Sequence, residues 1–237
     1  MFIGHYAASF AAKKVDKRIS LGWLFLAAQF LDVLWALFVV LGIEKLRVDP
    51  TLPSSTYVLY YLPFTHGLLT ALMWSGIVYL AFRYLPIVPA RWRSTSALVM
   101  AATVFSHWVF DLVVHRPDLP LIGDTHKVGL ALYGHPLPAL ALESALLFGG
   151  LWLYLRATRP TTPLGRYGIL VFGGFLFLVN IFTYFGPPPP SPEAAAVFNE
   201  VMYFVLAGIA LWLDRKRTPV IVEPRSVPGV ELAGQHT

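Results

Sequence analysis

The sequence predicts an all-α, polytopic membrane helix bundle: about six transmembrane helices preceded by a short N-terminal re-entrant or interfacial helix. Three observations carry that expectation. First, 57% of the 237 residues are hydrophobic and only 13% are charged, with a mean hydropathy of +0.63. Soluble domains run near a quarter charged. Second, apolar runs of near-spanning length recur at about 20–43, 58–82, 96–114, 137–155, 168–186 and 194–213, each close to the roughly 20 residues that cross a hydrocarbon core of about 30 Å. Third, the bases crowd into alternate gaps. Of the 18 Lys and Arg, 14 fall before residue 20, at 83–95, at 156–167 or beyond 213, and 4 fall in the opposite gaps. By the positive-inside rule this places both termini in the cytoplasm, with the protein integral to the cytoplasmic (inner) membrane.

Each element follows from local residues. Met1 to Ala12 is apolar but spans only about 18 Å as a helix, too little to cross. The bases Lys13, Lys14, Lys17 and Arg18 follow this stretch instead of preceding it, which argues against a cleavable signal peptide. Between the runs stand helix-breaking residues: Asp49-Pro50, Pro86 and Pro89, Arg116-Pro117, Pro160 and Pro163, and Pro187 to Pro190. Residues 1–217 are expected to form one transmembrane domain, and 218–237, polar with scattered Pro and Gly, a disordered cytoplasmic tail. The bases lie in short gaps between apolar runs, so the pI of about 9.5 reads as topology and not as nucleic-acid binding. With no cysteine, any metal must be held by nitrogen or oxygen.

The chemistry-bearing residues lie within the runs. His107, Asp111 and His115 are spaced by four, which stacks them on one helix face. An ionised Asp inside hydrocarbon costs roughly 2.5–3.5 kcal/mol on insertion scales, so it persists only with a partner, a metal or a wet cavity. Asp32 lies mid-run with Gln29 nearby, His66 about eight residues from the outer end of the second run, and Glu143 about six residues into the fourth. Four helices thereby place ionisable groups in a slab of about 15 Å in the outer half of the bilayer. Each has a plain alternative: His66, or Asp32 with Gln29, as interhelical hydrogen-bonding groups, and Glu143 protonated or paired with Arg116 or Lys127. His126 and His135 are expected in solvent or closing over a site. Asn180, Asn199 and Glu200 are expected to satisfy one another or backbone groups. Taken together, the carboxylates and imidazoles form a donor set that Zn, Mn, Fe or Ni accepts, with room for a water of lowered pKa.

Several short stretches occur in an order that resembles a known family. They are Gly4-His5, Leu31-Asp32-Val33, Phe64-Thr65-His66-Gly67-Leu68-Leu69 and Ser106-His107 with Asp111 four residues on. Over roughly the first 120 residues the chain resembles the YdjM-like membrane-bound metal-dependent hydrolases. The resemblance implies a helical membrane protein with a hydrolytic metal site whose ligands are His5, Asp32, His66, His107 and Asp111. His5 reaches the midplane, near Asp32, only if residues 1–12 re-enter the membrane from the cytoplasmic side. One departure stands out: where the family's acidic motif resembles Asp-x-Asp-His, Asp32 is followed by Leu34 and Trp35. That removes two candidate ligands and argues against a dinuclear centre, leaving His115 or Glu143 to substitute.

The leading expectation is therefore a metal-dependent hydrolase with a mononuclear His/Asp site, Zn being the first choice of ion and Mn, Fe or Ni the alternatives. It would act on a lipid-like or amphiphilic substrate, with Asp32 or Glu143 as general base. A second reading is a non-catalytic membrane subunit, bound to a membrane-protein partner, that keeps the polar network. A third is a transporter or proton relay, since intramembrane Asp and His also mark such paths.

Overall fold

The computed structural model describes residues 1–220, and they form a helical membrane bundle with two small β-hairpins. The helices are α1 (His5–Val15), α2 (Leu21–Ala28), α3 (Phe30–Val40), α4 (Leu68–Tyr84), α5 (Arg93–Val114), α6 (Pro136–Ala157), α7 (Pro163–Phe185) and α8 (Pro192–Asp214). Among the described residues, four stretches are long and apolar enough to cross a membrane, those of α5, α6, α7 and α8. A fifth arises if α2 and α3, bent by 56° at Gln29, count as one broken span. Helix α4, at 17 residues, is about 26 Å long and falls short of the hydrocarbon core. The expected six full spans are thus not all present as continuous helices.

Local chemistry sets the helix ends. Pro136, Pro163 and Pro192 each occupy the first turn of a helix, where a missing N–H costs nothing and φ is already helical. The Thr162 and Ser191 hydroxyls accept from the Gly165 and Ala194 amides, capping α7 and α8. The run expected to be helical from 58 begins instead as a strand. β2 (Tyr57–Tyr61) pairs antiparallel with β1 (Lys45–Val48), as its Tyr-Val-Leu-Tyr-Tyr sequence favours. Pro63 and Gly67 then hold residues 62–67 out of a helix, and α4 starts only at Leu68. At the far end of the chain, β3 (Thr158–Pro160) pairs with β4 (Arg217–Pro219). This hairpin crosses the expected tail boundary at 217; the rest of that tail lies outside the described residues.

α1 does not lie on a surface. It is buried among α2, α5 and α6, with Tyr6 stacked on Phe25 and Phe10 edge-on to the same ring. Gly150 of α6 permits the contact, since a Cβ there would stand 2.7 Å from the Ala7 Cα. The basic end of α1 is tied down by Lys13 Nζ, which donates to Asp214 Oδ2 and the Ile19 carbonyl at 2.7 Å each. Arg217 binds the Thr158 side chain and the Gly165 carbonyl at that same end of the bundle. The opposite end is capped by the β1–β2 hairpin and the 116–135 loop. Arg116 donates to the Ser55 and Tyr57 carbonyls, Lys127 to the Tyr60 carbonyl, and Ser54 to the Tyr133 carbonyl. Many large apolar side chains, including Leu137, Val171, Phe182 and Phe198, face outward, as expected where the surrounding solvent is lipid.

Candidate metal centre

The sequence elements that carry the polar residues converge between the two ends of the bundle. α5 contributes His107 and Asp111 on one face, the four-residue step placing His107 Nε2 3.1 Å from Asp111 Oδ2. α3 contributes Asp32, one turn past the break at Gln29. The irregular segment before α4 contributes His66. The start of α1 contributes His5, whose ring stacks on His107 at 3.7 Å between centroids. His66 Nε2 lies 3.2 Å from Asp32 Oδ1 and 3.7 Å from Asp111 Oδ2, and His107 Nε2 lies 3.6 Å from Asp32 Oδ1. His5 Nε2 lies 3.2 Å from Asp111 Oδ1, and His115 Nε2 3.6 Å from the same atom. The three sequence-distant imidazoles and the two carboxylates thus share one buried locus.

Hydrogen bonds fix which ring atoms face it. His107 Nδ1 sits 2.7 Å from the Ala28 carbonyl, an atom that only accepts, so Nδ1 carries the proton. In its neutral form His107 presents a bare Nε2 lone pair to two carboxylate oxygens, and that nitrogen has no hydrogen-bond partner among the described residues. His66 is set the same way. The Glu44 carboxylate accepts from the Phe64 and Thr65 amides and from the Thr65 hydroxyl at 2.6 Å. The hydroxyl's only proton is thereby directed to Glu44, and at 2.8 Å its oxygen accepts from His66 Nδ1. His66 Nε2 is left facing Asp32. Nitrogen lone pairs among carboxylate oxygens repel unless a cation, either a ring proton or a metal ion, lies between them, and His66 Nε2 stands at hydrogen-bonding distance, 3.2 Å, from Asp32 Oδ1.

The donor set fits a metal. Around the cycle His66 Nε2, Asp32 Oδ1, His107 Nε2, Asp111 Oδ2, the four separations run from 3.1 to 3.7 Å. Donors on a tetrahedral Zn with bonds of 2.0–2.1 Å stand about 3.3 Å apart. The ligand atoms of His66, His107 and Asp111, and separately those of His5, Asp32 and His107, lie within 4.8 Å of one another. The buried His/Asp cluster is therefore able to hold a metal ion, and the donor types alone do not choose among Zn, Mn, Fe and Ni.

Other expected residues take different places. Glu143 is buried with both oxygens engaged: Tyr184 donates to Oε1, and the Phe2 and Gly4 amides to Oε2. Its carboxylate anchors the segment that delivers His5. The Met1 amino group donates to Asp111 Oδ1, beside His5 and His115. His115 is at the rim, its Nδ1 3.1 Å from Asp118. His126 and His135 are exposed in the loop. Asn199 reaches only Tyr57 Oη, at 3.5 Å, while Asn180 is fully buried with no partner for either amide atom among the described residues. Three participants were invisible in the sequence: Glu44, the Ala28 carbonyl, and Tyr203, whose hydroxyl donates to Asp32 Oδ2 at 3.0 Å. They come from separate parts of the chain, and no spacing rule links them to the histidines.

A cavity of about 550 Å³ adjoins the cluster, with Asp32, His66 and His115 in its wall. His5, His107 and Asp111 stand behind that wall. No protein-family model, curated protein or solved structure matches this chain.

Proposed function

We propose that this protein is a membrane-embedded, metal-dependent hydrolase with a mononuclear site acting on a lipid-like or amphiphilic ester. The observation that carries the reading is the pair of imidazoles, His66 and His107, whose Nδ1 atoms are engaged by the Thr65 hydroxyl and the Ala28 carbonyl and whose Nε2 atoms meet Asp32 and Asp111 in a buried pocket. His66, His107 and Asp111 would hold the ion, leaving the position on the Asp32 side for a water, with His5 stacked behind as a reserve donor. A bound divalent ion would supply Lewis acidity and lower the pKa of a water toward neutrality. Asp32 borders both the cluster and the cavity, and it is oriented by Tyr203 to take a proton from the attacking water as general base. Glu143 acts as a positioning residue through the chain start. The resemblance to YdjM-like hydrolases agrees with this reading, as does an orientation with both ends of the chain in the cytoplasm and the cavity toward the outer leaflet of a bacterial inner membrane.

The test begins with purified protein. It should carry about one divalent transition ion per chain, retained in Asp32→Asn and lost in His107→Ala. The metal-loaded protein should cleave 4-methylumbelliferyl palmitate in detergent micelles, and chelated protein and Asp32→Asn should not. A protein that binds no such ion, or one whose ester cleavage survives both chelation and Asp32→Asn, overturns the proposal. A second reading, a non-catalytic membrane subunit, is favoured by Trp35: its buried ring stands edge-on to His66 at 6.4 Å, where the resembled family carries a His. A bound ion with no ester cleavage, together with co-purification of a membrane partner, would favour it.

A further inference from the structure

The cavity beside the cluster has a side wall made by α7 and α8. Toward the basic end these helices pack together: Ile169, Phe172 and Leu176 share a core with Leu206, Ala210 and Leu213. Toward the hairpin end they do not close. There Phe175, Leu178 and Phe182 of α7 and Phe198 and Met202 of α8 line the cavity. Phe175, Leu178, Phe182 and Phe198 are also largely exposed on the outside of the bundle. On two spanning helices that outside is bilayer hydrocarbon, so the mouth of the cavity opens sideways into lipid. An apolar gate in the bilayer admits an acyl chain without desolvation cost and turns away a hydrated solute.

Deeper in, the wall becomes polar. Asn180 lines the cavity, is fully buried, and finds no partner for its amide nitrogen or oxygen among the described residues. Buried amides are nearly always hydrogen-bonded, so a group that fits here brings an acceptor for the NH2 and a donor for the C=O. An ester carbonyl next to a hydroxyl or bound water, as in the glycerol region of a membrane lipid, has both. Thr183, Tyr184, Asp32 and His66 line the same cavity.

We infer that the cleft between α7 and α8 is a lateral binding site for a bilayer glycerolipid, one acyl chain lying between the two helices and its ester region bonded to Asn180. The volume of about 550 Å³ falls in the range of sites that enclose a small amphiphile. Assigning this lipid as the substrate rests on the hydrolase reading; its binding does not. If the hydrolase reading holds, the α7–α8 gate sets specificity by requiring a chain in the leaflet on the hairpin side.

The full chain is reconstituted in vesicles of phosphatidylcholine and phosphatidylglycerol that contain a phosphatidylcholine with a diazirine in one acyl chain. It is irradiated with metal bound and again after chelation, and the labelled peptides are mapped. Label should concentrate on residues 175–183 and 198–203 in both states. Val179→Trp or, from the facing wall, Met202→Trp fills the cleft and should lower that label about ten-fold. Asn180→Leu, which keeps the branched shape while removing both polar atoms, should lower it about five-fold. Leu170→Trp, on α7 but outside the cavity, should leave it unchanged, and the melting temperature and monodisperse elution of each variant in detergent serve as the check that it is folded. Label spread evenly over the lipid-facing helices, or cleft label unaffected by both tryptophan variants, overturns the site while leaving metal content untouched. Failure of the metal reading would appear instead as absent metal with the labelling pattern intact.

Discussion

His107 concentrates the chemistry of this protein in one side chain. Its Nδ1 is committed to the Ala28 carbonyl and its Nε2 faces two carboxylates, so the proposed ion would meet a ring that is already oriented. His66 owes the same state to Thr65 and Glu44. Removing such an outer partner typically weakens metal affinity by about 10–100-fold. Thr65→Val and Glu44→Gln should each shift competition with a chelating dye by that amount while leaving His107 in place; affinity equal to that of the parent would show that the relay does not set the ring. Outside the spans, Asp16 offers a pH test. Burial alone would raise its pKa, but bonds from Arg18 and Ser96 outweigh that and hold it below the ordinary carboxylate value. A depressed folded-state pKa gives stability that is fully present above the unfolded value near 4 and is lost as pH falls through the folded value. Thermal melts should therefore show Asp16→Asn less stable at neutral pH and less sensitive to acid below about pH 4. The clustered His and Asp were legible in the sequence because ionisable groups stand out in apolar runs. Glu44 was not: it follows α3 in an ordinary polar gap, and only the folded loop carries it to Thr65.

The helices succeed or fail as sequence signals according to how continuous they are. α5 to α8 match their apolar runs within a few residues; Pro opens α6, α7 and α8, and Thr162 and Ser191 cap the last two. The second run was misread as helical from residue 58, because hydropathy alone does not separate a buried strand from a helix. Pro63 and Gly67 held the contrary information, and the irregular stretch they enforce is the one that presents His66. The bend between α2 and α3 was equally hidden, since Leu21 to Val40 contains no Pro and is apolar apart from Gln29 and Asp32, yet the break falls beside the Ala28 carbonyl that orients His107. α1 was legible as too short to span, and its placement rests on a close approach at Gly150. Gly150→Ala would press a methyl against the Ala7 backbone at a cost of about 1–3 kcal/mol. It should lower both the melting temperature and the metal affinity, because α1 carries His5. Gly149→Ala, which meets open space, should change neither; equal effects at the two sites would refute the close packing of α1 on α6.

Across the bundle, one end is basic and clasped by Lys13–Asp214 and the β3–β4 hairpin, and the other is capped by the β1–β2 hairpin and the 116–135 loop. The absence of native cysteine makes this polarity easy to test. In intact cells, Thr51→Cys and His126→Cys should react with a membrane-impermeant maleimide, and Arg159→Cys only after permeabilisation; the reverse pattern would invert the proposed orientation. What the whole arrangement accomplishes is to bring donors from four separate segments to a point that none of them could occupy alone. X-ray absorption at the metal edge of the zinc-reconstituted full chain examines that point itself. The geometry predicts about one ion per chain in a first shell of mixed imidazole nitrogen and carboxylate oxygen at about 2.0–2.2 Å, with the imidazole scattering reduced in His66→Ala and the ion lost in His107→Ala. A chain that takes up no ion, or a spectrum unchanged by both substitutions, would mean that these side chains serve their neighbours and share no centre.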